Sequence, residues 1–427
     1  MKLLLKNGRV VDPASQLDET LDLLIEGGRI ADLKAKIEAR DATEIDASRL
    51  VIAPGFIDMH VHLREPGQEH KETIESGARA AARGGFTSIC AMPNTDPVND
   101  CREVTEYILA QSAKKAIVNI YPIAAISKGL EGKELTDMAD QAQAGAVAFS
   151  DDGRCVQNTQ VMRRALEYSR FLDALITDHC EDRYLSEDGV MNEGPSSYRL
   201  GLRGIPAASE EVMVARDISL AEGLQTKIHI AHLTTGGSVR LVREAKKRGL
   251  KISAEATPHH LILTDASLEN YETAYKVNPP LRGADDVRAL VNAVKDGTID
   301  VFATDHAPHA PEEKDMELDK APFGMVGLET AVSLLLDRIV NKGVISLVRF
   351  IEMISTRPAQ LLGLKNKGKI AVGGDADLTV LNVHKDVVID VKSFQSRSRN
   401  SPFHGWKLKG APAMTIVGGR VVYPFGS

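Results

Sequence analysis

Residues 55–67 read Gly-Phe-Ile-Asp-Met-His-Val-His-Leu-Arg-Glu-Pro-Gly, and the stretch contains two histidines, His60 and His62, two positions apart. Its first half is rich in apolar and β-branched residues, which is typical of a strand, and Glu65-Pro66-Gly67 predicts where the strand ends. Because side chains alternate faces along a strand, we expect His60 and His62 to project to one side, about 7 Å apart along the chain. A single buried histidine is usually a hydrogen-bonded core residue, but two in this arrangement can bind one metal ion. The stretch therefore predicts a metal site at a strand end.

The composition indicates the class of protein that carries this stretch. The chain has 427 residues, enough for a large barrel and a smaller second domain. A formal net charge of −7 offers no basic surface for nucleic acid or for a membrane, and the N-terminal apolar run is too short for a signal peptide. Four cysteines without Cys-x-x-Cys pairing fit a reducing compartment. We expect a soluble, cytoplasmic protein without nucleic-acid or membrane partners.

Both ends of the chain are predicted to be β-structure. Short strand-like segments near the N-terminus are separated by Asn7-Gly8 and Gly27-Gly28, which predict hairpin turns. Near the other end, residues 419–424 (Gly-Arg-Val-Val-Tyr-Pro) are similar to residues 8–13 (Gly-Arg-Val-Val-Asp-Pro). We expect the two ends to meet in one small β-sandwich domain, composed of residues 1–51 and 366–427.

Between the two ends, residues 52–365 alternate strand-like and helix-like segments. The helix-like segments have apolar residues at three- and four-residue spacing. Eight such repeats predict an α/β fold, a (β/α)8 TIM-like barrel. Residues 310–322 are charged and flanked by prolines, which predicts a long active-site loop. The strand candidates are residues 52–63, 88–93, 119–126, 147–150, 175–179, 227–232, 251–256 and 301–304.

Histidines and carboxylates cluster at the predicted carboxyl ends of these strands, where the active site of such a barrel forms. His229 and His232 lie on opposite faces, so only one can point inward, and the terminal His232 is preferred. Asp151 and Asp152 also face opposite ways. Histidines and carboxylates together are the ligand types of zinc or a similar divalent ion. The candidate ligands are His60, His62, Asp151 or Asp152, His179, His232 and Asp305.

Other polar residues are assigned ordinary roles. His259 and His260 follow the seventh strand without a neighbouring carboxylate, which favours a structural role over ligation. His306 is treated as ordinary, and Cys180 is expected to point away from the metal. Asp58 is predicted to lie in a turn, at a cap or on a solvated face.

The motifs resemble those of a known family. Residues 58–66 (Asp-Met-His-Val-His-Leu-Arg-Glu-Pro) are similar to the first signature of the dihydroorotases, members of the amidohydrolase superfamily, and residues 303–309 followed by Lys314 are similar to the second. Residues 92–95, 150–153 and 276–282 resemble segments of the long, bacterial-type dihydroorotases, so the likeness covers the whole chain. It implies a hydrolase of pyrimidine (UMP) biosynthesis that interconverts (S)-dihydroorotate and N-carbamoyl-L-aspartate by metal-activated hydroxide.

The resemblance also implies a metal site with two groups of ligands, one formed by His60, His62 and Asp305. The other is formed by His179 and His232. Residues 150–153 lack the lysine that many superfamily members carbamylate to bridge two metals, and Asp152 matches an aspartate of the long dihydroorotases. Two possibilities therefore stay open, one zinc ion per chain or two. The implied metal ligands are His60, His62, Asp152, His179, His232 and Asp305.

The resemblance also implies which residues take part in catalysis and which bind the substrate. Asp305 would carry a proton from the attacking water to the leaving ring nitrogen. Arg64, expected on the same strand face as His62, can hold a carboxylate through two parallel hydrogen bonds. The implied substrate-binding residues are His62, Arg64, Asn94, Asn278, His309, Phe323 and Gly324.

Two alternative functions stay open. Allantoinase and dihydropyrimidinase or hydantoinase share the barrel, but they usually carry the bridging lysine and their substrates lack the ring carboxylate that Arg64 would hold. An inactive dihydroorotase-like scaffold subunit of aspartate carbamoyltransferase would be expected to have lost metal ligands. Two partners besides the small-molecule substrate also stay open, a second copy of the chain and aspartate carbamoyltransferase.

Overall fold

Eight parallel strands from the middle of the chain form a nearly closed barrel in a computed structural model that describes residues 2–424. Consecutive barrel strands are neighbours in the sheet. An isolated bridge between Val61 and His306 joins the first strand to the chain beyond the eighth, where the His62 N–H donates to the His306 carbonyl over 2.9 Å. The predicted (β/α)8 fold is confirmed. The first to eighth barrel strands are Phe56–Val61, Phe86–Ala91, Asn119–Ala124, Ala148–Phe149, Leu175–Asp178, Ile228–Ile230, Ile252–Ala256 and Val301–Phe302.

Amphipathic helices surround the barrel, as the spacing of apolar residues predicts. The helix Ile74–Gly84 begins after Thr73, whose side chain accepts the Ser76 N–H, and it ends at Gly85, whose φ of 91° lies in the left-handed region. Its buried face consists of small apolar residues that pack on the strands. The long helices between barrel strands are Ile74–Gly84, Arg102–Lys115, Met138–Ala144, Thr159–Leu172, Ala207–Leu224, Gly236–Lys247 and Ala284–Asp296.

Helical segments beyond the eighth strand pack on the outside of the barrel, and the last of them covers its lower end through Ala359. Phe350 packs edge-on against Phe56, with ring centroids 5.7 Å apart. These segments are Ala331–Leu335, Leu347–Ile351 and Arg357–Leu361, with π-helical turns at Leu336–Val340 and Glu352–Thr356.

Within residues 2–424, no helix combines the length and apolarity needed to cross a membrane. Shorter elements are the helices Arg183–Ser186, Pro195–Leu200, Pro258–Ile262 and Pro311–Lys314, the 3-10 turns Lys128–Leu130, Asp265–Leu268, Thr273–Tyr275 and Val391–Ser393, and the paired strands Met191–Asn192 and Gly204–Ile205.

Both chain ends contribute to a second, largely antiparallel sheet, separate from the barrel. The strand Val51–Pro54 joins the two ends, because it pairs with Lys2–Asp12 on one side and with Leu378–Val388 on the other. One apolar cluster, which includes Leu5, Ile52 and Val380, is buried against this sheet. The strands are Lys2–Asp12, Leu17–Glu26, Arg29–Lys34, Thr43–Asp46, Val51–Pro54, Leu378–Val388, Lys407–Val417 and Arg420–Tyr423.

The hairpin turn predicted at Asn7-Gly8 is wrong. Lys2–Asp12 is a single strand that pairs with Leu17–Glu26, and the register shifts between Leu5 and Gly8. Asn7 adopts a φ of 58°. The dipeptide therefore forms a β-bulge, which bends the strand without reversing its direction.

The strand predicted at residues 52–63 is in fact two strands that meet at Gly55. Val51–Pro54 belongs to the terminal sheet and Phe56–Val61 to the barrel. A side chain at Gly55 would not fit, because an added Cβ would lie 2.1 Å from Thr87 Oγ1. The chain thus passes from one sheet into the other where its backbone comes close to the second barrel strand. The domain bounds given above remain a prediction.

Candidate active site

A cavity of 320 Å³ opens at the carboxyl ends of the barrel strands. Every site residue predicted from the sequence lines this cavity except His60, which is fully buried and reaches Asp152 from below. The structure therefore brings the whole predicted set together. The set divides into a metal half and a substrate half. The metal half is His60, His62, Asp152, His179, His232 and Asp305, and the substrate half is Arg64, Asn94, Asn278, His309, Phe323 and Gly324.

The first two histidines of the metal half converge on two carboxylates. His60 Nε2 lies 3.3 Å from Asp152 Oδ1 and 3.5 Å from Asp305 Oδ1. His62 Nε2 lies 3.4 Å from Asp152 Oδ2 and 3.2 Å from Asp305 Oδ1. Both imidazoles therefore aim their Nε2 atoms at one shared space.

The other two histidines approach the same space from the opposite side. His179 Nδ1 lies 2.8 Å from His232 Nε2. These two nitrogens lie 3.8 Å and 3.7 Å from Asp152 Oδ1. Asp152 thus stands between the two pairs of histidines.

These residues fit a divalent metal ion. His60 Nε2 and Asp152 Oδ1 are buried 3.3 Å apart, yet neither has a hydrogen-bond partner within the described chain. Burial raises the pKa of Asp152, but the histidines around it outweigh burial and hold that pKa well below its usual range. An ionised carboxylate among imidazoles is the donor chemistry of zinc and similar ions. Within the metal half, two triads have ligand atoms within 4.8 Å of one another: His60 with His62 and Asp305, and His60 with Asp152 and His232.

The structure distinguishes Asp152 from Asp151 and His232 from His229, the two pairs of alternative candidate ligands. Asp151 does not line the cavity, because its carboxylate accepts the backbone N–H groups of Ile126 and Ser127. His229 also lies inside the barrel, where its Nδ1 is 2.8 Å from Ser253 Oγ and its Nε2 is 3.1 Å from Glu255 Oε2, so the expectation that only one of His229 and His232 points inward is wrong. Asp152 and His232, the preferred candidates, are the ones that reach the cavity.

Arg64 dominates the charge of the substrate half. Burial lowers the pKa of its guanidinium, which stays protonated at neutral pH, and its Nε donates to the Pro308 carbonyl over 3.2 Å. The expected strand position is wrong, because the strand ends at Val61 and Arg64 has a φ of 63°. The left-handed turn, and not strand alternation, directs Arg64 into the cavity.

His309 lies beside Arg64 as a neutral imidazole. Burial and the positive charge of Arg64 lower the pKa of His309 to about 3. Its Nε2 lies 2.8 Å from the Phe323 carbonyl oxygen and its Nδ1 lies 3.4 Å from Glu313 Oε2, so the single proton of the neutral ring has an acceptor on either side. The predicted loop 310–322 leads into Phe323, and Lys314 holds it by donating to the Pro322 carbonyl over 2.7 Å.

Comparison with known proteins identifies the family. A family model described as "Dihydro-orotase-like" matches residues 49–238. A dihydroorotase from Pelotomaculum thermopropionicum is 54% identical over 422 residues, which cover 99% of this chain and 98% of that protein. The chain belongs to the dihydroorotase family. A second dihydroorotase, from Syntrophus aciditrophicus, is 50% identical over 99% of both chains.

Structural similarity extends from the dihydroorotases to other cyclic amidohydrolases. The solved structure of an L-hydantoinase (dihydropyrimidinase) from Arthrobacter aurescens superimposes with a TM-score of 0.88 and covers 98% of this chain and 95% of that chain. Its sequence identity is only 27%, against about half for the dihydroorotases. The fold is therefore common to both groups, whereas the sequence is more similar to those of the dihydroorotases.

Two carboxylates of this dihydroorotase-family site are not predicted from the sequence. Glu255 Oε1 lies 2.8 Å from His60 Nδ1 and accepts the His232 N–H over 3.1 Å. Glu181 Oε2 lies 3.3 Å from His179 Nε2 and accepts the Asn278 amide over 3.2 Å. Each one fixes the outer nitrogen of a candidate ligand histidine. A lone glutamate within the apolar seventh strand is the signal that could have revealed Glu255.

The ordinary role predicted for Asp58 is wrong. Asp58 is fully buried in the first barrel strand, where its Oδ1 accepts the N–H groups of His60 and Thr304 over 3.1 Å each. Burial raises the pKa of Asp58 to about 7. His306 is also buried, and its Nε2 lies 3.2 Å from Glu72 Oε2. Both residues support the strand ends from which the candidate ligands project.

Proposed function

We propose that the chain catalyses the reversible hydrolysis of (S)-dihydroorotate to N-carbamoyl-L-aspartate. The observation that carries this proposal is one cavity lined both by a metal-type donor set and by the buried guanidinium of Arg64. The donor set suits hydrolysis of an amide, and the guanidinium suits a ring that bears a carboxylate. The full-length relatives named dihydroorotase support the same substrate.

The donor set would hold zinc, as one or two ions per chain. His60, His62 and Asp305 would form one group of ligands and His179 with His232 the other, and the Asp152 carboxylate lies between them. When bound, a divalent ion supplies Lewis-acid chemistry, which acidifies water at neutral pH and polarises a carbonyl oxygen.

Asp305 is the proposed proton carrier. Burial raises the pKa of Asp305, but the neighbouring His62 and His60 hold it below its usual range, so the carboxylate is ionised and can accept a proton. In hydrolysis the water oxygen bonds to the ring carbonyl carbon and the carbon–nitrogen bond breaks. Asp305 takes one proton from the water and delivers it to the leaving nitrogen. Ring closure follows the same path backwards.

Arg64, Asn94 and His309 would hold the ring carboxylate. Arg64 offers a planar pair of N–H donors, which match the two oxygens of a carboxylate. Asn94 accepts from His62, with 2.8 Å between Asn94 Oδ1 and His62 Nδ1, so the carboxylate side and the metal side are joined. Asn278, Phe323 and Gly324 would surround the ring.

Specific residues argue against the two alternative functions, a hydantoinase-type enzyme and an inactive scaffold subunit. A hydantoinase-type activity is suggested by the shared fold, but residues 150–153 lack a bridging lysine and Arg64 would have no carboxylate to bind. An inactive scaffold subunit would not need its metal donors, and all six are present and converge. A cytoplasmic location, a homodimer and an association with aspartate carbamoyltransferase stay predictions.

The test is a metal analysis of the purified protein followed by an absorbance assay with dihydroorotate. We expect one or two zinc ions per chain and turnover in both directions. Turnover of hydantoin or dihydrouracil in preference to dihydroorotate would replace the proposal by the hydantoinase alternative. A protein without metal and without turnover would favour the scaffold.

A further inference from the structure

A segment of the terminal sheet domain reaches over the barrel to the cavity. Residues 389–406, called here the C-terminal arm, connect the sheet strands Leu378–Val388 and Lys407–Val417. Two buried carboxylates fasten the arm to the barrel. Glu329 accepts the backbone N–H groups of Gln395 and Ser396. The arm is therefore held against the barrel before it reaches the residues that line the cavity.

The second carboxylate links the arm to the loop after the eighth strand. Glu72 accepts the Ser396 hydroxyl and the Arg397 N–H, and its Oε2 also lies 3.2 Å from His306 Nε2. The carbonyl of His306 in turn accepts the His62 N–H. One end of the arm is thus connected to the loop that carries both Asp305 and His309.

Asn400 makes the direct contact with the substrate half. Its buried side-chain amide donates one hydrogen bond to the Ala307 carbonyl over 3.0 Å and another to the Gly324 carbonyl over 3.1 Å. Its Oδ1 accepts the His309 N–H over 3.2 Å. Ala307, His309 and Gly324 all line the cavity, whereas Asn400 does not.

An asparagine suits this position for a chemical reason. Two carbonyl oxygens and one N–H group converge on it, and only a primary amide supplies two donors and one acceptor in that geometry. An aspartate would keep the acceptor for His309 but turn a carboxylate oxygen towards the two carbonyls. An alanine would leave all three backbone groups without their partner, which is costly in a buried place.

We propose that Asn400 is a positioning residue for substrate, which acts by holding the backbones of His309 and Gly324 in place. The proposal rests on the proposed function, because it assigns those two residues to the substrate carboxylate and ring. Asn400 touches neither the metal donors nor the proton carrier Asp305. Its loss should therefore weaken substrate binding and leave metal binding intact.

The kinetic test compares Asn400→Asp and Asn400→Ala with the wild type. We expect KM for dihydroorotate to rise about tenfold, while kcat changes by less than about threefold and the zinc content per chain stays unchanged. The matched control is Asn341→Asp, since the exposed Asn341 amide also donates to a carbonyl, that of Lys409, but far from the cavity. An unchanged KM in both Asn400 variants, or a loss of zinc together with KM and kcat effects, would overturn the positioning role.

Hydrogen–deuterium exchange gives a second test that does not depend on the substrate. In Asn400→Ala the segments around His309 and Gly324 should exchange faster, and the His309 amide should be less affected in Asn400→Asp, which retains its acceptor. Unchanged exchange in Asn400→Ala would overturn the inference. If wild-type protein does not turn over dihydroorotate, the proposed function fails, and the exchange result still decides whether Asn400 positions these backbones.

Discussion

The metal half and the substrate half of the cavity are built in different ways. The proposed metal donors lie at or just beyond strand ends, so the barrel itself directs them. The substrate half is assembled from loops after four different strands, tied together by contacts such as that between His309 and the Phe323 carbonyl. Under the proposed function, the scaffold therefore fixes the hydrolytic chemistry and the loops select the substrate.

The largest effect is expected from Asp305→Asn, which affects the metal half. The amide cannot accept the proton from water, so kcat should fall about a thousandfold while the far-ultraviolet circular dichroism stays unchanged. Asp315→Asn, in an exposed part of the loop, is the control and should be neutral. Retention of more than a tenth of the wild-type kcat would refute the role of Asp305.

A smaller effect is expected from Glu255→Gln, which weakens the support of the metal half. The His60 Nδ1–H loses a charged acceptor, so zinc affinity should fall about ten- to a hundredfold. Competition with a chelator measures this affinity, and Glu244→Gln on an exposed helix face serves as the control. An unaltered affinity would show that His60 does not need this carboxylate.

Arg64→Lys tests the substrate half. An ammonium group cannot form the paired hydrogen bonds of a guanidinium, so KM should rise about tenfold with little change in zinc content. Steady-state kinetics and metal analysis of the same preparation separate the two effects, with exposed Arg163→Lys as the control. Wild-type constants in Arg64→Lys would remove Arg64 from the substrate site.

The smallest effect is expected from Gly324→Ala in the substrate half. Gly324 has a φ of 134°, and an added Cβ would lie 2.7 Å from the Ala307 Cβ. The loop must shift, so KM should rise about threefold and the free energy of unfolding should fall by about 1 kcal/mol. Gly223→Ala is the control, because an added Cβ there meets nothing within 4 Å. Equal behaviour of the two variants would mean that the loop adapts freely.

The same division explains how much of the site could be predicted from the sequence. Barrel periodicity and strand-end histidines are local patterns, so the fold and the convergence of these histidines and carboxylates could be predicted from the sequence alone. Glu255 is a single residue whose partners lie on other strands, and Asn400 contacts loops about 75 and 90 residues away in the chain. Their contacts depend on tertiary packing, which leaves no periodic signal. The bulge at Asn7 could not be predicted because the dipeptide Asn-Gly is common both in hairpin turns and in left-handed bulges.

The most direct test of the central claim is the ratio of kcat/KM for dihydroorotate to kcat/KM for dihydrouracil, the same ring without its carboxylate. The division into a metal half and a carboxylate-selecting half predicts a ratio of at least about a thousand in the wild type, which collapses in Arg64→Met while the zinc content stays unchanged. A wild-type ratio near one, or a ratio that Arg64→Met leaves intact, would contradict the claim.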